Sequence, residues 1–170
     1  MTGTRIQVAT DRKIAQLRVA GKATFNSAQS VREFALKMLD AGVKRVLVDL
    51  SECVTMDSTF MGVLALTVVR GRERQVTVEI VNANDNVKKL LASLGLKRLF
   101  VFSQTRSPEV DWTALCQAKA DNAEALGQQR TILEAHETLM QVDPENVPKF
   151  KDVVEFLRSD LKAHEQKQQA

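Results

Sequence analysis

The run Arg45-Val46-Leu47-Val48-Asp49-Leu50 constrains this chain more than any other feature. A nearly continuous β-branched and aliphatic strand needs cover on both faces, which places it centrally in a sheet flanked by other elements. The neighbouring sequence supplies them. Residues 76–81 form a second buried strand. Residues 13–19 set Ile14, Leu17 and Val19 among polar neighbours, as in a half-exposed strand, with residues 5–8 pairing ahead of it and Gly21 breaking it. Between the strands lie helical patterns. In residues 27–39 the positions Val31, Phe34, Ala35, Met38 and Leu39 recur at spacings of three and four, after Asn26-Ser27 as caps and before Gly42 as terminator. Residues 58–70 repeat the pattern with Met61, Leu64, Ala65, Val68 and Val69 on one face and Asp57 or Ser58 as cap. Residues 87–94 form a third helix, opened by Asn84 and Asp85 and closed by Gly95, and residues 99–102 supply a last short strand. Strands that alternate with helices in this way give an α/β domain, with parallel pairing wherever a helix crosses between neighbours.

Beyond Ser103 the expected character is helical only. Asp111 caps a helix beginning near Trp112 that carries Leu115, Ala118, Ala123, Leu126, Ile132, Leu133, Leu139 and Met140, with Gly127 as a break point, until Asp143-Pro144 stops it. Pro148 starts a final helix whose Val147, Phe150, Val153, Val154, Leu157 and Leu161 follow the three-four spacing. Residues 162–170 read as a frayed polar tail. Charge marks the same joint: residues 1–102 hold 16 basic and 9 acidic side chains, and residues 103–170 hold 8 and 12. The two amphipathic faces of this extension need a surface to bury them. The candidates are the basic domain of the same chain, a second copy in a homo-oligomer, or another protein.

Several function classes find no support. Apolar stretches are strand-sized, short of the roughly 20 residues that cross a bilayer. The N-terminus lacks a positive region followed by an apolar run, so a cytoplasmic location without membrane insertion is expected. Aromatic residues are 5% of the chain and Tyr is absent, which argues against a stacked single-strand nucleic-acid interface. Cys53 and Cys116 form no CxxC pair, and buried or half-buried free thiols are the simplest reading. His136 and His164 have no second ligand at i+3 or i+4 and read as solvated helix residues, so no metal or cofactor is expected. Arg70, Arg72 and Arg74 read as a solvated loop. Gly21-Lys22 fails as a phosphate loop, because Gln16 and Ala23 stand where glycine and a hydroxyl residue are required. With no acid, base and nucleophile cluster to assemble, no catalytic residue is assigned and an enzyme is not expected.

The informative segment is Val48-Asp49-Leu50-Ser51-Glu52-Cys53-Val54-Thr55-Met56-Asp57-Ser58-Thr59-Phe60-Met61-Gly62-Val63-Leu64. A buried strand runs into a loop that delivers Asp57-Ser58-Thr59 to a helix start, where backbone N–H groups are unpaired and the dipole favours negative charge. Read alone, Asp57 or Ser58 is an N-cap, a contribution of roughly 0.5–2 kcal/mol.

These motifs, together with Val81-Asn82-Ala83-Asn84, Val87-Lys88-Lys89-Leu90-Leu91 and Leu94-Gly95-Leu96, resemble a STAS domain of the anti-sigma factor antagonist type over about residues 5–102. The resemblance implies a central mixed β-sheet with amphipathic helices over residues 1–102, followed by an all-helical extension over residues 103–170. It also implies that Ser58 is the phosphoacceptor, with Thr59 the secondary candidate. The implied partners are a GHKL-type serine kinase that doubles as anti-sigma factor, released after it phosphorylates the serine, and a PPM-type phosphatase that reverses the modification. Phe60 stands where the family pattern has glycine, and Thr24 where an acidic residue is common. On this reading Asp57 and Thr59 shape the serine loop, Phe60 and Met61 give the docking surface its apolar part, and Thr24 lies beside it. The alternative is a non-switching scaffold, or a small-molecule or lipid-transport accessory module, in which Ser58 is only a cap.

Overall fold

The computed structural model describes residues 3–105, 110–115 and 122–169. Strand β1 (Arg5–Thr10) turns back into β2 (Ile14–Ala23), and helix α1 (Phe25–Asp40) crosses to β3 (Arg45–Asp49). A tight turn leads into β4 (Cys53–Met56) and α2 (Ser58–Glu73). Then come β5 (Thr77–Val81), α3 (Asp85–Ser93), a 3-10 turn (Leu96–Arg98) and β6 (Val101–Ser103). The main sheet has the order β6-β5-β3-β2-β1, extended by a two-residue strand β7 (Thr113–Ala114). β2, β3, β5 and β6 are parallel, whereas β1 runs antiparallel to both β2 and β7. β3 is thus the central strand, with Val48 opposite both Leu17 and Ile80.

Alternation along the strands separates two sheet faces. Val46, Val48, Val78 and Ile80 belong to the buried core cluster, together with residues of α1 and α2. The opposite set carries cross-strand ion pairs: Arg18 with Asp49 at 3.5 Å and Arg45 with Glu79 at 2.7 Å. Trp112 lies over the Arg18 guanidinium at 4.2 Å, a cation–π contact that ties the approach to β7 onto this face.

Two departures at the start of α1 share one cause. Gly21 does not end β2. Its φ of +82° admits a register shift at Gly21/Lys22, after which the strand continues and pairs with β4 in parallel. Ala23 and Met56 therefore lie side by side, and the α1 and α2 N-termini start from adjacent strand ends. Thr24, not Asn26 or Ser27, occupies the α1 cap position, and its side chain makes no cap bond.

Past β6 the chain is not helical only. Thr113–Ala114 pairs with β1, so Asp111 caps no helix beginning near Trp112. Helix α4 (Asn122–Val142) runs through Gly127 unbroken. A 3-10 turn (Pro144–Asn146) follows, and α5 (Val147–Gln169) remains helical through the segment expected to fray. Cys116 and Ala118 fall outside the described residues. Of the three candidate surfaces for the extension, the same chain provides one: α4 packs across α1 and α2, and α5 packs on α4. Arg32 and Arg70 both approach Glu134, at 2.5 and 3.8 Å, so the basic and acidic parts of the chain meet there. Asn146, fully buried, donates to the Leu94 and Leu139 carbonyls at 2.9 and 3.0 Å, and so fixes the α4–α5 turn to the end of α3. Among the described residues, no helix is long and apolar enough to cross a membrane.

Candidate functional site

Asp57 stitches two helix starts together. Its Oδ1 accepts from the Phe60 amide at 2.8 Å, the N-cap bond of α2, and its Oδ2 accepts from the Phe25 amide at 2.7 Å. The Phe25 bond explains why Thr24 needs no cap of its own: the α1 N-terminus is capped from across the sheet edge. The Asp57 amide also donates to the Ala23 carbonyl at 3.0 Å, which sets Thr24, half-buried, beside the serine loop.

Ser58 is the first residue of α2 and half-buried. Its Oγ lies 3.0 Å from Nε2 of His136 on α4. The other ring nitrogen, Nδ1, is 2.8 Å from the Ile132 carbonyl oxygen. A carbonyl can only accept, so Nδ1 carries the proton, Nε2 presents its lone pair, and the Ser58 hydroxyl donates to it. His136 is 5% exposed, and its ring stands 4.8 Å from that of Phe150 on α5. Burial pushes the imidazole below its ordinary pKa, against the opposing effects of the Ile132 bond and the Asp57 charge, and this keeps the neutral tautomer in place.

The solvated reading of His136 is therefore corrected. The helix that carries it is packed on α1 and α2, and His136 lies between the buried residues Ala135 and Leu139. The signal was in the sequence: His136 falls four residues after Ile132 and three before Leu139, inside the apolar stripe. His164 is half-exposed, 3.8 Å from Asp160. No group of metal-ligating side chains occurs among the described residues.

Phe60 and Met61 also differ from expectation. They are 0% and 5% exposed, so neither lines an open docking surface. Sequence periodicity gave α2 one apolar face, but buried residues run almost without interruption from Thr59 to Val68 because the sheet, α1 and α4 enclose the helix. Thr59, 5% exposed, is far less accessible than Ser58. The missed residue is Gly62. A Cβ at Gly62 would lie 2.6 Å from the Ala135 carbonyl oxygen, so glycine is what lets α4 approach closely enough for His136 to reach Ser58. A glycine inside a helix costs about 1 kcal/mol relative to alanine, which is the sequence signal for such a close approach.

The three arginines are held rather than free. α2 extends through Glu73, Arg70 pairs with Glu73 and Glu134, Arg72 donates to the Leu99 carbonyl, and Arg74 pairs with Asp40 at 2.8 Å. Cys53 is buried, desolvation pushes its thiol up to about 11, and its S–H donates to the Thr55 carbonyl at 3.5 Å.

The family model "Mlab, STAS domain" matches residues 6–101. The chain belongs to the STAS family. Its fold is that of the anti-sigma factor antagonists, joined to the C-terminal helices. Among solved structures, this STAS protein is similar to the Bacillus cell fate determinant SpoIIAA in its phosphorylated form, at 15% identity and a TM-score of 0.50, covering 58% of this chain and 90% of that one. It is also similar to a putative anti-sigma factor antagonist from Thermotoga maritima, at 17% identity and a TM-score of 0.51, covering 58% and 83%. No curated protein matches the chain.

Proposed function

We propose that this STAS protein is an anti-sigma factor antagonist-like partner switch, controlled by reversible phosphorylation of Ser58. The observation that carries the reading is the placement of Ser58: the first residue of α2, half-buried, with Asp57 holding the loop through two backbone amides. Transfer of the γ-phosphoryl group of ATP to Oγ forms the Oγ–P bond and releases ADP and the hydroxyl proton. A group of about −1.5 to −2 charge then stands at a helix N-terminus, where the domain tolerates it. Against a partner in a desolvated contact the same charge is costly unless a cation meets it, so the modified domain lets go. The partners proposed are a GHKL-type serine kinase acting as anti-sigma factor, which binds the unmodified domain, and a PPM-type phosphatase. That a structural neighbour is described in a phosphorylated form supports the reading. With Phe60 and Met61 in the core, the partner surface around Ser58 is assigned to Thr24, Asp57 and the exposed Phe25.

One observation favours a second reading, a non-switching scaffold or transport accessory module: the Ser58 hydroxyl already has a structural partner in His136. Incubation of the full chain with ATP and a GHKL-type kinase from the same genome, followed by intact-mass measurement, separates the two. The switch predicts a gain of one phosphoryl group that Ser58→Ala abolishes. Kinase binding by Ser58→Asp as tight as by the wild type sinks release by charge.

A further inference from the structure

The cover over Ser58 is part of the same chain. Oγ and Nε2 are already at hydrogen-bond distance, 3.0 Å, so a phosphorus atom and three oxygens cannot be placed between them. The imidazole is 5% exposed and packs 4.8 Å from the Phe150 ring, which leaves it little room to move aside. α4 cannot bulge locally either. The residue preceding His136 is Ala135, whose carbonyl rests on Gly62, and Glu134 before it is held by Arg32 and Arg70. Rotating the phosphorylated side chain away from His136 does not solve the problem. It leaves the buried Nε2 without its donor, and the imidazole can then meet the phosphate only by taking up a proton, which its burial opposes.

We propose that the seated α4–α5 hairpin and a phosphorylated Ser58 exclude one another, so that α4 is a gate: closed on the neutral hydroxyl through His136, lifted off α2 when the serine is modified. The inference rests on Ser58 being the phosphoacceptor and adds how the site is regulated. A kinase meets an accessible serine only during openings of α4, and the phosphate then holds the helix off. Because Gly62 and Ala135 are in contact only when α4 is seated, the same event uncovers the α2 surface around Gly62.

The test installs phosphoserine at position 58 of the full chain by genetic-code expansion, which bypasses the kinase, and reads backbone hydrogen exchange by mass spectrometry. The expected result is loss of protection in α4 and in the first half of α5 by about tenfold or more, with β3 and β5 amides unchanged. The substitution His136→Ala opens space at Nε2, so phosphoserine in that background should return much of the protection to α4. Unchanged α4 protection in the phosphorylated chain would overturn the gate. So would loss of protection spread equally over β3 and β5, since the whole fold and not the helix would then have opened. A gate that fails here leaves Ser58 open as an acceptor. A Ser58 that no kinase modifies removes the switch reading without altering the exchange result.

Discussion

Gly62→Ala probes the close approach on which the site depends. The added Cβ would meet the Ala135 carbonyl oxygen at 2.6 Å and its Cβ at 2.7 Å, and the first of these is backbone that cannot rotate aside. A comfortable contact needs roughly 3.5 Å, so α4 must back off by about 0.8–0.9 Å. His136 follows Ala135, and the same displacement stretches the 3.0 Å Ser58–His136 bond to about 3.9 Å, beyond useful geometry. Overpacking of this kind costs about 1–3 kcal/mol, and the better helix propensity of alanine returns about 1 kcal/mol, leaving a net destabilisation of about 0–2 kcal/mol. The more telling effect is local. Hydrogen exchange should show α4 losing protection while β3 and β5 keep theirs, and urea unfolding should give the net cost. A Gly62→Ala chain as stable as the wild type or more so, with α4 amides equally protected, would refute the reasoning.

Asp57→Ala removes acceptors from two helix starts, about 0.5–2 kcal/mol for the α2 cap and about 0.5–1.5 for the Phe25 bond, so urea unfolding should show a loss of about 1–3.5 kcal/mol. Asp57→Asn, which keeps one acceptor oxygen, should fall between that variant and the wild type. His136 has a folded pKa below that of the unfolded chain, so the native state binds fewer protons and its stability falls as pH drops through about 6.5 and below. Thermal midpoints across about pH 7.5 to 5 should fall less steeply in His136→Gln, and equal slopes would contradict a buried neutral imidazole. Cys53, buried with its thiol pushed up to about 11, should be alkylated by iodoacetamide no faster than the protein unfolds, as followed on its own peptide.

The α/β domain was legible because strand burial is written in local runs: Val46, Val48 and Leu50 bury one face of the central strand and Leu47 is buried on the other, and Asp57 stands as an acceptor directly before an apolar helix. What could not be read was contact between segments distant in sequence. The Phe25 amide is capped by Asp57, 32 residues away, so the local cap signal at Asn26-Ser27 was false. β7 is two residues long, and its identity comes from pairing with β1 rather than from any pattern of its own. His136 looked like a polar intrusion in an amphipathic helix. It is a polar group placed in an apolar stripe to meet one hydroxyl, and Phe60 looked surface-bound only because the helix that covers α2 lies some 75 residues further on. The interhelical bond from Ser58 to His136 was the part of the site that local reasoning missed, and a histidine in register with Ile132 and Leu139 was its only trace.

The central claim is that Ser58 is the residue whose modification switches this STAS protein. Phosphopeptide mapping of the full-length protein purified from its own cells tests it most directly. The account predicts a phosphorylated fraction localised to Ser58, with Thr59 unmodified, and loss of that fraction in a Ser58→Ala strain. Phosphate found only on other residues, or none under any growth condition while the protein remains functional, would contradict it.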